Sequence, residues 1–203
     1  MKIDMHIHSS VSSCSTMTMG EIFSAAVAAG LEGICITDHG SRAALSDSAL
    51  SRSPEGLLVV IAMEYTSPDG DFLLFGPFDD LEKGLSGEDL LLTVRERGGL
   101  AVAAHPCRKG RPVAERLFEK GLCRVIERLN GRNSGEENSE TDRLIELYGL
   151  FECGGSDAHE PDEVGSVVTD FHCAITSEEE LIAALQEGEG TARYNWEEEM
   201  IIL

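Results

Sequence analysis

Short apolar runs alternate with amphipathic stretches along the chain. The runs at 2–7, 31–37, 57–63, 72–75, 100–104, 124–129, 150–153 and 164–170 have the length and spacing of strands. Between them, residues 18–29, 86–97, 112–120, 135–148 and 177–186 carry apolar positions at helical spacing. Gly30, Gly98 and Gly121 close three of these helices, because glycine accepts the left-handed conformation of a helix end. Ser177 caps the last one, and Glu178, Glu179 and Glu180 suit its positive N-terminus. The sequence S-P-D-G at Ser67 to Gly70 predicts a turn. This β-α-β-α rhythm predicts an α/β fold with a largely parallel sheet or barrel. No long linker, low-complexity tract or fixed-period repeat interrupts it. We therefore expect one domain over residues 1–190, and a C-terminal extension, 191–203, whose apolar end at Met200 to Leu203 packs on it.

Composition narrows the function. Hydrophobic residues make up 42% of the 203, enough to bury a core. The net charge is 16 − 37 = −21, which argues against a scaffold for long nucleic acid or a binder of anionic membranes, since both need a basic face. Aromatics are only 5%, with Trp196 the lone tryptophan, which disfavours an RNA-stacking surface. The apolar runs are too short to span a membrane. The start, M-K-I-D-M-H-I-H, has neither signal-peptide nor transit-peptide character. Six cysteines without a C-x-x-C read as reduced thiols, so a cytoplasmic protein is expected. The sequence carries no signal for oligomeric state.

The histidines change the picture most. His6, His8, His39, His105 and His159 fall at or just after the C-terminal ends of predicted strands, the edge that bears ligands in α/β folds. His6 and His8 are spaced to share one strand face with Asp4. Asp38 precedes His39, Glu64 ends a run, and Asp157 stands two residues before His159. Imidazole with carboxylate is the ligand set of Zn²⁺, Mn²⁺ or Fe²⁺. Each element alone has a plain alternative: a buried histidine pair, a helix cap at Asp38, an ion pair at Glu64, a rigid turn at His105-Pro106. Their conjunction at four strand ends, each near an acid, points to a metal site. His172 matches no such pattern.

The series D-M-H-I-H-S at Asp4 to Ser9, I-T-D-H-G at Ile36 to Gly40, A-M-E-Y-T-S at Ala62 to Ser67, A-A-H-P at Ala103 to Pro106 and G-S-D-A-H at Gly155 to His159 resembles the PHP (polymerase and histidinol phosphatase) family of metal-dependent phosphoesterases. The resemblance implies a distorted (β/α)7 barrel with two to three divalent metal ions. It implies that His6, His8, Glu64 and Asp157 take one ion. Glu64, His105 and Asp71 would take a second, and His39, His159 and Cys14 a third. Asp38 would orient His39 or a metal-bound water. Two positions depart from the family pattern: Cys14 stands where Asp or His is common, and Asp71 where His is common. No inserted helical subdomain fits between Tyr65 and Ala104.

The function so implied is hydrolysis of a small phosphorylated substrate by attack of a metal-bridging hydroxide on phosphorus. Glu64 would bridge the ions, and His159 or His39 would serve as general acid if the third site is empty. Arg108, Arg132 and Arg42 are candidates to grip the phosphate, with Asn130 and Asn133 behind them; each arginine could equally offset local acids. Alternatives are a 3′–5′ exonuclease or oligonucleotide phosphatase, and a non-catalytic metal-binding module. An amidohydrolase-type enzyme is disfavoured, because none of Lys2, Lys83, Lys109 and Lys120 ends a predicted strand. Neither substrate identity nor metal identity is legible.

Overall fold

The protein is described by a computed structural model covering residues 1–42 and 52–198. The predicted tail contact of Met200 to Leu203 lies outside these residues. Strand β1 (Lys2–Ile7) opens the chain, and helix α1 (Met19–Ala28) follows it. Thr18 starts α1 through a capping box with Glu21, which satisfies helix-start N–H groups reciprocally. Next come β2 (Gly33–Ile36), β3 (Leu58–Ile61), β4 (Met63–Ser67) and β5 (Gly70–Phe75). The rest is α2 (Gly87–Glu96), β6 (Leu100–Ala103), α3 (Arg116–Glu119), β7 (Val125–Asn130), α4 (Gly135–Tyr148), β8 (Phe151–Gly155), β9 (Val167–Phe171), α5 (Glu178–Glu187) and β10 (Gly190–Tyr194). No helix among the described residues is long and apolar enough to cross a membrane.

The expected (β/α)7 barrel is not what forms. The strands make two mixed five-stranded sheets, ordered β10-β9-β1-β2-β3 and β4-β5-β6-β7-β8. Three local features break the βα repeat. The run at 57–63 splits at Ala62, so that β3 ends one sheet and β4 starts the other. The Ser67–Gly70 turn folds β5 back antiparallel on β4, with no crossover helix between them. β9 runs antiparallel to both β1 and β10, and β10 is a strand the sequence pattern did not predict.

The sheets face each other across one apolar layer. Ile3, Met5, Cys35, Leu58 and Val60 from the first meet Leu73, Phe75, Val102 and Val125 from the second. The outer face of the first sheet packs Ile34, Ile36 and Val59 on Ile22, Phe23 and Ala26 of α1. The outer face of the second is covered by α2, α3 and α4 through Leu90, Val94, Leu117 and Leu144.

Single bonds, rather than a continuous ladder, join the sheets at their edges. The Glu64 N–H donates to the Thr37 carbonyl, and the Gly40 N–H to the Glu64 carbonyl. The His8 N–H donates to the Ala158 carbonyl. These seams bring the ends of β1, β2, β4, β6 and β8 together. The approach is close at Gly155, where a Cβ would stand 2.5 Å from His6 Cβ, so no larger residue fits.

Candidate metal centre

β1 holds His6 and delivers His8, and both are fully buried. Their spacing is fixed from below by Asp4. Its carboxylate accepts from the backbone N–H groups of His6, Ser156 and Gly165, lacing β1 to the loop after β8. Burial pushes this carboxyl up to about 6, against the pull of those hydrogen bonds. Two other site residues sit in strained backbone. His105 (φ 30°) and Asp157 (φ 56°) are the non-glycine residues at positive φ among those described. Such strain persists where surrounding structure enforces it, commonly at functional sites.

Glu64 is the centre. Its Oε1 lies 2.9 Å from His105 Nε2, and its Oε2 lies 2.9 Å from His39 Nδ1, 3.4 Å from His8 Nε2 and 3.6 Å from His6 Nε2. Asp157 Oδ1 faces His8 Nε2 at 3.3 Å and His6 Nε2 at 3.5 Å. His6 Nε2 and His8 Nε2 are 3.1 Å apart. Three donor groups result, each with its ligand atoms within 4.8 Å of one another: His6, His8 and Asp157; Glu64, Asp71 and His105; and His8, Cys14, His39 and His159. The structure thus brings together every residue for which metal ligation was expected.

The charges in the site are strongly coupled. Burial disfavours the charged forms of Glu64 and Asp157, yet both are held below the usual carboxylate range. His105, His39 and His6 outweigh burial at Glu64; His6, His8 and Arg108 do so at Asp157. His6, although buried, is pushed well up by Asp157 and Glu127, whereas burial lowers His8. The Cys14 thiol is pushed up by burial and by Glu64, Asp157 and Asp38, so a thiolate there needs an added positive charge.

Orientation comes from a surrounding layer. His6 Nδ1 pairs with Glu127 Oε1 at 3.0 Å, His159 Nδ1 with the Asp157 carbonyl at 2.7 Å, and His8 Nδ1 with Ser12 Oγ at 3.4 Å. Each pairing holds a proton on Nδ1, so that Nε2 is the nitrogen that offers a lone pair when the ring is neutral. Asp38 does not touch His39. It accepts from the Ser9 amide and from the hydroxyls of Ser9 and Ser12. The Ser12 Oγ in turn accepts from the His39 N–H at 3.0 Å, so Asp38 acts through Ser12. Buried Asp71 is charge-paired with Arg111, whose Nη2 lies 2.7 Å from Oδ2, and the buried His105 Nδ1 has no hydrogen-bond partner among the described residues.

The three candidate phosphate-binding arginines fare differently. Arg108 reaches the site, donating to Asp157 Oδ2 and Asn130 Oδ1 at 2.8 Å and to Asn133 Oδ1 at 2.9 Å. Arg132 is clamped on Glu163, whose carboxylate also caps the His159 amide, which places it beside that loop. Arg42 is not brought in: it donates to the Ile61 carbonyl and faces Glu178 and Asp79.

Two further residues belong to the site without having been predicted. Arg111 is half exposed and donates to Asp71 Oδ1 at 2.8 Å, from the same loop as Arg108. Glu127 is fully buried on β7. It pairs with His6 and accepts from the His105 N–H at 2.6 Å and from Asn130 Nδ2 at 3.0 Å. The signal was present as one acid inside the apolar start of a strand, V-I-E, where an unpaired carboxylate is costly.

The Arg108 loop is tethered from outside the site. Glu137, in the capping box of α4, also accepts from the Lys109 N–H at 2.7 Å. The Lys109 and Ser134 hydrogen bonds lower its carboxyl from 4.5 to about 2. A lowered folded pKa means the tether is fully present above the unfolded value and is lost as pH falls through the folded one. The Lys109 amide resonance should therefore titrate with a midpoint near pH 2, and Glu137→Gln should abolish that step. A midpoint near 4.5 would show that the tether is absent.

Residues 4–109 match the model of the PHP domain, and residues 135–189 match a PHP-associated model. The chain belongs to the PHP family. It is 29% identical over 136 residues to an uncharacterized protein of Methanocaldococcus jannaschii, an alignment covering 60% of this chain and 78% of that one. Its fold is similar to PsfC from Pseudomonas syringae, with a TM-score of 0.77 and 16% identity over 99% of this PHP chain and 94% of that one. It is also similar to a two-domain protein from Bacteroides vulgatus described as containing a predicted PHP-like metal-dependent phosphoesterase. There the TM-score is 0.72 and the identity 21%, over 95% of this chain and 64% of that one.

Proposed function

We propose that this PHP chain is a metal-dependent hydrolase that cleaves a phosphate ester of a small molecule, using two to three divalent ions of the Zn, Mn or Fe class. The observation that carries the reading is Glu64, with four imidazoles from three strand ends converging on its two oxygens.

The donor set fits such ions. Two nitrogens bound at about 2.0–2.1 Å in tetrahedral geometry stand about 3.3 Å apart, close to the 3.1 Å between His6 Nε2 and His8 Nε2. Imidazole and carboxylate suit Zn, Mn and Fe, and the Cys14 group adds a softer donor. His6, His8 and Asp157 would hold one ion with Glu64; Glu64, His105 and Asp71 a second; His39, His159 and Cys14 a third. When bound, the ions supply Lewis acidity and a nucleophilic water at neutral pH.

The chain's own groups do the rest. Arg108, anchored by Asn130 and Asn133, keeps Nη1 free of hydrogen bonds at the rim of Asp157, where it can meet a phosphoryl oxygen. Arg111 contacts Asp71 from a half-exposed position and can do the same beside Asp71. His39 is 41% exposed, the most open of the ligand histidines, and is held up in pKa by its hydrogen bond to Glu64. With the third ion absent, it can instead deliver a proton to a leaving oxygen. With a net charge of −21, an anionic substrate is held by local cations rather than by the overall field.

The test is metal stripping and reloading. The stripped protein should not turn over phosphomonoesters, phosphodiesters or short oligonucleotides. Reloading with Mn²⁺, Zn²⁺ or Fe²⁺ should restore activity on small esters. Cys14→Ser should lower bound metal by one ion per chain. Failure of every metal on every ester would overturn the phosphoesterase reading, and preference for oligonucleotides would move it to a nuclease.

A further inference from the structure

The opposite end of the second sheet carries a feature that the metal centre does not use. A cavity of about 470 Å³ opens at the starts of β6, β7 and β8, walled by Val94, Leu100, Leu122 and Phe151, with Arg95 and Arg124 on its lining. Leu100 and Phe151 begin strands whose other ends lead to His105 and Asp157. At about 3.3 Å per strand residue the two sites lie on the order of 15–20 Å apart.

The arginines set this cavity apart. Acids outnumber Lys and Arg by 37 to 16 in this chain. Arginine after arginine is accordingly found on a carboxylate: Arg97 on Asp80, Arg116 on Asp69, Arg128 on Asp142, Arg143 on Glu115 and Glu140. Among the described residues, only Arg52, Arg95 and Arg124 have no carboxylate within ion-pair range, and two of the three line one cavity. Arg95 donates to the Gly121 carbonyl, which steadies it without neutralising it. Arg124 lies over the Phe151 ring at 5.8 Å, a contact that steadies the guanidinium on the lining and uses none of its N–H groups.

We propose that this cavity binds a small amphipathic carboxylate, its apolar body among Val94, Leu100 and Leu122 and its head group between Arg95 and Arg124. The volume suits a small organic molecule. Apolar walls favour a hydrocarbon body, and two planar guanidinium groups favour a carboxylate that accepts from both. The site is independent of the metal chemistry, so it stands whether or not the chain is a phosphoesterase.

The experiment is calorimetric titration of the metal-loaded protein with sodium octanoate, with 1-octanol and acetate as probes for the body and the head alone. Octanoate should bind saturably at one site, and each of 1-octanol and acetate at least tenfold more weakly. Arg95→Gln and Arg124→Gln should each weaken octanoate about tenfold or more. Both positions are exposed, so these variants should retain the wild-type far-ultraviolet dichroism and melting curve. Amide shifts on binding should cluster at Gly99, Leu122 and Arg124. No saturable binding, equal binding of 1-octanol, unchanged affinity in both variants, or shifts clustered instead around His6 and His8 would each overturn the proposal.

Discussion

Glu64→Gln should abolish hydrolysis while leaving the metal-free fold nearly unchanged. The amide has the shape of the carboxylate but only one acceptor oxygen, and it carries no charge. In the native site Oε1 serves His105, and Oε2 serves His39 with His8 and His6 close by. One half of the glutamine would present N–H donors to groups that must keep lone pairs. The negative charge that it would offer to bound cations would also be gone. Metal-based charge stabilisation is worth several kcal/mol in a transition state, so the rate should fall on the order of 10³-fold or more. Metal content should drop with it. Added Mn²⁺ or Zn²⁺ should raise the melting temperature of the native protein by mass action and fail to raise that of the variant. Retained metal with lost activity would assign Glu64 to chemistry rather than ligation. Retained activity would remove it from the centre altogether.

The sequence made the site more legible than the fold, and the reason is physical. A ligand set announces itself through residue type: a histidine or an acid at the end of an apolar run has few other reasons to be there. His6, His8, Glu64, His105 and Asp157 were readable on that ground. The architecture depended on subtler events. Ala62 lies inside a continuous apolar run, and nothing in L-L-V-V-I-A-M-E marks the point where one sheet ends and the next begins. The Ser67–Gly70 turn was visible, but the antiparallel return that it enforces was not carried into the topology. β10 was missed because Gly190 to Tyr194 is half polar, as suits a strand beside β9 alone. Arg42 was misplaced for a related reason. Its neighbour in sequence, His39, is in the site, but its guanidinium turns to the Ile61 carbonyl and Glu178. Sequence proximity says nothing of where a long side chain turns.

Glu127 carries the second large prediction, and two substitutions separate its roles. One oxygen holds the His6 Nδ1–H; the other accepts from the His105 amide and Asn130. Glutamine can keep the second role by placing its oxygen toward His105 and Asn130. Its NH₂ then faces His6 Nδ1, which must become the acceptor. The proton moves to Nε2, the nitrogen that faces His8, Glu64 and Asp157. Glu127→Gln should therefore fold well yet bind metal about 10–100-fold more weakly, the usual cost of losing a partner behind a ligand. Nitrogen-15 shifts of the His6 ring in the metal-free variant, recorded at a pH where the ring is neutral, should report the changed tautomer, a signature that general loosening would not produce. Glu127→Leu removes both roles. The His105 amide and the Asn130 side chain lose a buried acceptor, so the metal-free protein should lose about 3 kcal/mol or more, read from denaturant midpoints. If the glutamine variant binds metal as the native protein does, Glu127 is a structural acid only, and His6 owes its orientation to Asp157 and to the packing of Gly155 against it.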